Sequence, residues 1–282
     1  CANKINLNWI EDPSNKYLNI RRNNIRKIIL PEIKNKNSSI DLELLTESRK
    51  YLKKMNRCFD EFNKTKNELI LKETEYFIST KLDNVITYSI EKLKLFVYWL
   101  CSKYLKSEVP QYSRSFWISF QNYLTKSKTS SIYKIGFVTF IINRKNLDVT
   151  SKYEYILKIP SILQLSDKCK WYDSVLKIHN GNISIPENNK YFYIIPEIII
   201  NEGVFIRRWK KGDRICSYGS KKNILVNNIF INNKISFIGK LLYPIIVDKA
   251  DNIVWIPGLM HSDRYSPSKQ EKNKKVEWVQ IL

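Results

Sequence analysis

Two arginines spaced four residues apart, Arg22 and Arg26, are the residues near the start of the sequence whose types could support chemistry. On a helix this spacing places both guanidinium groups on one face, where their planar sets of N–H donors suit phosphate or carboxylate partners. Asp12 is a candidate partner within the chain. A capped helix that only supports its neighbours would show the same spacing, and on spacing alone this supporting role is favoured.

A second set of cations lies in the sequence FIRRWKKGDRI and the Gly-Ser-Lys-Lys that follows it, called here the basic segment. Cations with an interleaved aromatic residue, Trp209, suit a nucleic-acid surface because they combine attraction to phosphates with a plane for stacking. The alternative is a basic strand end with a packed tryptophan. Gly-Ser-Lys-Lys is not a Walker loop, which requires a longer pattern. The cations of the basic segment are Arg207, Arg208, Lys210, Lys211, Arg214, Lys221 and Lys222.

The whole sequence is strongly basic, with a formal net charge of +21 over 282 residues. Such an excess predicts attraction to a polyanion, because each neutralised phosphate releases counterions, and RNA, DNA and an anionic membrane surface all qualify. Compositional drift explains the abundant Asn and Ile, but not why Lys and Arg outnumber Asp and Glu by 48 to 27. The length suffices for two domains or one large one.

Cysteine and histidine usage argues against a metal centre or a disulfide framework. The five cysteines are scattered without a C-x-x-C pair, and the two histidines are isolated, which indicates reduced thiols in a cytosol. Neither a secretory signal nor an apolar run of about 20 residues is present. We therefore expect a soluble, cytoplasmic protein without a metal site. Because the first residue is Cys1, we also expect a preceding segment.

The turn and helix around the two arginines should position them. Asp12 before Pro13 is a favourable cap, because the carboxylate accepts free backbone N–H groups and proline has none to leave unpaired. Asn15 extends the turn. Pro31 predicts that the following helix ends at about Leu30. The apolar positions of this helix recur at helical spacing: Ile25, Ile28 and Ile29.

After a polar link at residues 32–39, apolar periodicity predicts three helices up to about residue 130 and mostly strands from residue 131. Their aromatic positions could stack on RNA bases, but at this spacing a core role is favoured.

Arg114, before the third helix, suits a phosphate or a plain salt bridge equally. Asn180-Gly181 predicts a hairpin with His179 in its turn. Later strands are expected at residues 243–247, 253–258 and 276–282.

The pattern W-x-E-D-x-S-N, followed by R-N-x-I-R and L-P, resembles the end of the catalytic domain of the tRNA(Ile)-lysidine synthetases. These enzymes form part of the PP-loop ATP-pyrophosphatase group. Tyr17 departs from the acid that the family usually has there, and Ile20 departs from an aromatic residue. The matching positions are Trp9, Glu11, Asp12, Ser14, Asn15, Arg22, Asn23, Ile25, Arg26, Leu30 and Pro31.

The last third resembles the C-terminal domain of the same family, whose pattern is roughly V-R-x-R-x-x-G-D-R, K-K, L-P-x-L and W-V-x-G. Trp209, Ser236 and Gly239 depart from it. The family has a helix after Lys222, whereas residues 223–233 are rich in poor helix formers, so composition disfavours that helix. The matching positions are Ile206, Arg207, Gly212, Asp213, Arg214, Lys221, Lys222, Pro244, Trp255 and Gly258.

The resemblance implies an α+β multidomain chain. Residues 1–37 would form the C-terminal edge of an α/β catalytic domain, 38–130 a helical middle domain, 131–200 a β-rich connecting region and 201–282 a mostly β, tRNA-binding C-terminal domain. The sequence has no Gly-Gly pair and so lacks the S-G-G-x-D-S loop with which the family binds ATP. We therefore expect the back two-thirds of such an enzyme, inactive by itself.

For the complete enzyme, the resemblance implies an ATP- and Mg²⁺-dependent ligase. The C2 oxygen of the wobble cytidine in the CAU anticodon of isoleucine tRNA is adenylated, and the amine of free lysine then expels AMP. Arg22 and Arg26 would be charge stabilisers, with Asp12 and Asn15 supporting their turn. The tRNA backbone would be bound by Arg207, Lys211, Arg214, Lys221 and Lys222.

Three questions stay open at this point. The chain could be a stand-alone basic RNA-binding module without catalysis, or a structural protein of biased composition that binds no polyanion. Homo-oligomerisation is not decided by the sequence.

Overall fold

A computed structural model describes residues 12–105, 111–158, 162–179, 191–217, 222–266 and 272–280. The contacts divide the chain into two compact units, Cys1–Glu61 and Phe62–Leu282. Helices and antiparallel sheets both occur, which confirms the α+β class. Some residues used above lie outside the described residues: Trp9, Glu11, Asn180, Gly181, Gly219, Ser220 and Lys221.

The first unit begins with a 3-10 turn at Pro13–Lys16 and is otherwise helical. Helix α1 (Arg21–Asn24) leads through a π-helical turn (Ile25–Ile29) into α2 (Leu30–Lys36). Helix α3 (Ile40–Thr65) follows, and the division between the two units falls within it.

The prediction that Pro31 ends the helix is wrong. The wider π-helical turn precedes it, with the Leu30 N–H bonded to the Ile25 carbonyl, and Pro31 lies in the first turn of α2. A proline is tolerated in a first turn because its missing N–H would have no partner inside that helix.

The second unit contains both helices and strands. Its elements are β1 (Ile70–Glu73), β2 (Ile78–Lys81), α4 (Leu82–Ile86), α5 (Ile90–Leu105), α6 (Arg114–Lys126), β3 (Ile132–Ile135), β4 (Val138–Asn143), β5 (Asn146–Thr150), α7 (Tyr153–Lys158), β6 (Ile162–Gln164), β7 (Lys168–Trp171), β8 (Ser174–His179), β9 (Phe192–Pro196), α8 (Glu197–Glu202), β10 (Val204–Arg207), β11 (Arg214–Cys216), β12 (Asn223–Leu225), α9 (Val226–Asn232), α10 (Phe237–Leu242), β13 (Ile245–Asp248), β14 (Ile253–Ile256), β15 (Met260–His261) and β16 (Asn273–Gln280).

The first sheet has the strand order β1-β2-β5-β4-β3 and shares a core with α4, α5 and α6. Phe120, Tyr123 and Leu124 of α6 lie in this core, as the helical spacing of its aromatic residues predicted. Strands β1 and β2 are too short to show in the sequence pattern. They pair into the same sheet as β3–β5, so the boundary predicted between residues 130 and 131 runs through a sheet.

The rest of the second unit contains two larger sheets and a two-stranded ribbon. One sheet has the order β15-β14-β13-β10-β6, the other β7-β8-β16-β9, and β11 pairs with β12 as the ribbon. Their side chains share a second core. Strand β10 pairs with β6, and β16 pairs with β8 and β9. Each of these two sheets therefore contains strands from both sides of the boundary predicted at residue 200.

Two local expectations differ from the structure. His179 is the last residue of β8, opposite Lys275 of β16, and its Nε2 lies 2.9 Å from Oε2 of Glu277, so it is a strand residue and not a turn residue. The disfavoured helix after Lys222 does form, as α9. It buries Val226, Ile229 and Phe230, and this packing outweighs the weak helix propensity of its asparagines.

Within the described ranges, every helix is too short or too polar to cross a bilayer.

Candidate nucleic-acid interface

Arg207, at the end of β10, is the organising residue of the basic segment. Its side chain is 2% exposed, and its Nη1 and Nη2 donate to the two carboxylate oxygens of Asp213 at 2.8 and 3.0 Å. Its Nε donates to Asp251, and its Nη1 also donates to the carbonyl of Arg208. Burial acts to lower the pKa of Arg207, but the hydrogen bonds and charges of the two aspartates outweigh it and raise the pKa.

This geometry corrects the role predicted for Arg207. A guanidinium that is buried and held by two carboxylates is not available to a phosphate. The cause lies partly outside the motif, because Asp251 enters from the turn between β13 and β14. Arg207 instead supports the loop that follows it.

The loop after Arg207 is closed by further bonds to the same aspartates. The Lys210 N–H donates to Asp213 at 2.7 Å, the Asp213 N–H donates to the Lys210 carbonyl at 3.1 Å, and the Lys210 ammonium donates to Asp251 at 2.6 Å. Gly212 has a φ of 96°, which an L side chain rarely adopts. We call Arg207, Asp213, Asp251 and Lys210 the aspartate clasp. It fixes a short basic loop at the base of the ribbon.

Three other cations of the basic segment are exposed. Lys211 lies in the loop, Arg214 begins β11, and Lys222 directly precedes β12. Arg214 also donates to the carbonyl of Asn223 at 3.4 Å across the ribbon. We call Lys211, Arg214 and Lys222 the ribbon cations. The clasp and the ribbon hydrogen bonds hold the backbone around them, and all three residues are exposed.

Trp209 is half-buried and packs against the second core. Its ring meets that of Phe230 edge to face, with centroids 6.1 Å apart. The structure therefore favours the packed tryptophan over a plane free to stack on a base.

The turn before α1 matches its sequence prediction. Oδ1 of Asp12 accepts the Ser14 N–H at 2.8 Å, and the Asn15 N–H donates to the Asp12 carbonyl at 3.0 Å. The hydrogen bonds from Ser14 lower the pKa of Asp12, and the charge of Arg22 adds to the effect. Arg22 and Arg26 are both exposed on the helical stretch that follows.

Asn23 was given no role from the sequence, yet it joins the turn to the helix. It is 4% exposed, and its Nδ2 donates to the carbonyl of Ser14 at 2.7 Å and to that of Tyr17 at 2.9 Å. The signal for this role was its place between the arginines in R-N-x-I-R. Through these two bonds the turn fixes the start of the helix that carries Arg22 and Arg26.

We expect Asn23→Ala to release the turn, because two backbone carbonyls lose their donor at a buried site. The cost should be about 1–3 kcal/mol of local stability. Amide hydrogen exchange of residues 12–24 measures it. Asn24→Ala is the matched control, since it makes the same chemical change at the next residue. Equal exchange in the two variants would contradict the role assigned to Asn23.

Helix α3 carries a row of cations that its apolar periodicity did not indicate. Arg49, Lys53 and Arg57 are four residues apart and exposed, so they form one stripe of the helix. The apolar positions that recur along this helix are largely exposed, Leu45 at 46%, Leu52 at 59% and Phe59 at 51%, although a core role was favoured for the aromatic one. Phe62, at the end of the series, is buried at 2%.

The fold and the charge define a class: a strongly basic α+β protein. No family model matches the chain. Curated proteins do match it. The tRNA(Ile)-lysidine synthase of Bacillus cereus ATCC 14579 is 22% identical over 288 residues, covering 97% of this chain and 58% of that protein. The enzyme of Bacillus subtilis 168 is 25% identical over 279 residues, covering 91% of this chain and 56% of that protein.

The resemblance seen in the motifs is thereby confirmed: the chain is similar in sequence to several tRNA(Ile)-lysidine synthases along more than nine-tenths of its length. It spans a little over half the length of these curated relatives. Among solved structures, a TilS C-terminal domain is 18% identical and covers 44% of this chain and 92% of that chain, with a TM-score of 0.37.

Proposed function

We propose that this chain is the tRNA-holding part of a tRNA(Ile)-lysidine synthase. The complete enzyme would ligate lysine to C2 of the wobble cytidine in the CAU anticodon of isoleucine tRNA, through an adenylated tRNA. One observation carries the binding role: three exposed cations lie on or next to a ribbon whose base is fixed by the aspartate clasp around the buried Arg207, in a chain of net charge +21.

The proposed division of labour follows from burial. Lys211, Arg214 and Lys222 contact phosphates, and with them Lys221, which lies outside the described residues. Such contacts position the RNA without reading its sequence, and each adds to the salt dependence of binding. Arg207 acts through the loop and does not touch the RNA. Because the clasp fixes the backbone beforehand, less entropy is lost when the tRNA binds.

The proposed roles of Arg22 and Arg26 rest on their exposure and on the turn that fixes their helix. Both guanidinium groups would stabilise the charge that develops on phosphate during adenylation, while Asp12, Asn15 and Asn23 hold the turn. Among the described residues, no group of three or more His, Cys, Asp or Glu side chains is suited to a metal ion. We therefore propose that ATP and Mg²⁺ are held by residues other than those described, and that free lysine enters there too.

A stand-alone basic RNA-binding module without catalysis is the alternative, since the same exposed cations would bind RNA whether or not a catalytic domain accompanies them. The coding region upstream of Cys1 separates the two. An in-frame S-G-G-x-D-S there supports the ligase. A stop codon between that motif and Cys1 supports the module.

The ligase proposal predicts a specific defect in lysidine formation. In the polypeptide that includes the upstream region, Arg22→Ala or Arg26→Ala should lower the rate by about 10²- to 10³-fold, as loss of a charge-stabilising donor does. The assay follows transfer of labelled lysine to isoleucine tRNA. Arg21→Ala, an exposed neighbour outside the matched pattern, is the control and should stay near the wild-type rate. Equal rates in all three variants would contradict the role of the two arginines.

A further inference from the structure

Phe137 is the most exposed large hydrophobic side chain that the structure describes, at 86%. It stands at the tip of the hairpin between β3 and β4, where Ile135 pairs with Val138 and only two residues form the turn. Single apolar residues on a surface are common, but a phenylalanine that leaves nearly its whole ring in water forgoes its usual gain from burial.

The turn requires glycine before Phe137. Gly136 has a φ of 57° at the first central position, as tight hairpin turns of the primed types require, and glycine adopts it without strain. The second position is left for a residue that projects from the sheet. Nearly any polar residue would be accepted there, so an aromatic residue is not explained by the fold.

The hairpin tip is braced by other aromatic rings. A Cβ added to Gly136 would lie 4.0 Å from the hydroxyl of Tyr112. The Tyr112 ring is stacked on Phe116 with centroids 3.9 Å apart and an angle of 14° between planes, and Phe116 meets the fully buried Trp117 edge to face. The turn that carries Phe137 therefore lies beside this aromatic cluster.

The charge of this region indicates the partner. Residues 111–147 contain six Lys or Arg and no Asp or Glu. Lys134 lies beside the hairpin tip and Arg114 begins α6 near it, whereas Lys126, Lys128, Arg144 and Lys145 lie toward the other end of β4. Lys134 forms an ion pair at 2.6 Å with Glu154, which lies outside this segment. Arg114, singled out from the sequence, is exposed and begins α6 two residues after Tyr112. An exposed aromatic ring in a segment that has cations but no acidic residue of its own matches RNA, which offers phosphates and bases with flat faces.

We infer that Phe137 stacks on an unpaired base of the bound RNA. Arg114 lies on the same acid-free segment and supplies a phosphate contact. The site differs from the ribbon cations in chemistry, because they contact only the backbone and bind duplex and single strand alike. This inference rests on the proposed RNA binding. A protein partner for the ring is the competing occupant, and the test includes it.

The test measures dissociation constants by fluorescence anisotropy for two probes, a short single-stranded RNA of mixed sequence and a blunt duplex of the same sequence. Phe137→Ala and Phe137→Leu should both weaken single-strand binding by about 5- to 100-fold, the range for loss of one base-aromatic stack. Phe137→Tyr should stay within about twofold of the wild type, because its ring still stacks. Duplex binding should not change in any variant.

Ile198→Ala, another exposed apolar position at 61%, controls for general loss of surface hydrophobicity and should bind as the wild type does. Single-strand affinity that is unchanged by Phe137→Ala overturns the inference and leaves RNA binding by the ribbon intact. Full affinity in Phe137→Leu also overturns it, because an apolar contact without a ring suits a protein partner. If the wild type binds neither probe at low salt, the proposed function itself fails, and the inference with it.

Discussion

Replacing Lys211, Arg214 and Lys222 together by alanine is expected to weaken tRNA binding by about 10²- to 10³-fold at 0.1 M salt. Each lost phosphate contact should also reduce the slope of log K against log salt by roughly 0.7 to 0.9. The cause is counterion release, because a neutralised phosphate frees its condensed cations and an alanine neutralises nothing. Titration of the wild type and the triple variant with tRNA at several salt concentrations gives both quantities.

The matched control removes the same charge elsewhere. Lys50, Lys152 and Lys274 each lie within 4 Å of a glutamate carboxylate, so their charges are already offset. Their triple alanine variant has the same net charge as the ribbon variant and should keep nearly the full salt slope. If the two triple variants lose affinity equally, the effect belongs to net charge, and the ribbon has no special role.

Asp213→Ala is expected to be the most destabilising single change considered, at about 3–5 kcal/mol. It removes the bidentate partner of a guanidinium that is 2% exposed, and a buried charge left without its partner carries a large desolvation cost. Chemical denaturation followed by tryptophan fluorescence measures the change in unfolding free energy. Glu47→Ala breaks an exposed pair and should cost at most about 1 kcal/mol. Equal costs in the two variants would contradict the clasp.

The stability that the clasp provides is expected to decrease at low pH. Burial acts to raise the pKa of Asp251, but its bonds to Lys210 and Arg207 outweigh this and lower the pKa below its ordinary value. A carboxyl whose folded pKa is depressed stabilises the fold above its unfolded pKa of about 3.9, and this contribution is lost as the pH falls through the lower folded value. The difference in unfolding free energy between the wild type and Asp251→Asn should therefore become smaller below about pH 4.

Local patterns predicted what depends on neighbours in sequence. The Asp12 cap, the long helix α3, the buried aromatics of α6 and the strands near β13 and β14 all followed from spacing or turn chemistry. In each case the decisive interaction spans few residues. The sequence therefore contained enough information to place these elements.

The failures share a different cause, which is tertiary contact. Arg207 looked like a free cation because Asp251, its second partner, is 44 residues away. Helix α9 looked unfavourable because its propensity is weak, while the buried side chains that stabilise it meet other strands. The brace under Phe137 depends on Tyr112, which precedes it by a whole helix. No window of neighbouring residues contains these pairings.

The measurement that tests the central claim most directly is a competition between isoleucine tRNA with a CAU anticodon and a random RNA duplex for this chain. We predict that the tRNA binds more tightly at physiological salt, and that the nonspecific duplex competes only in the range of about 10⁻⁴ to 10⁻⁶ M. Equal affinity for the two would contradict a lysidine synthase origin of the binding surface, and would leave a general basic RNA-binding module in its place.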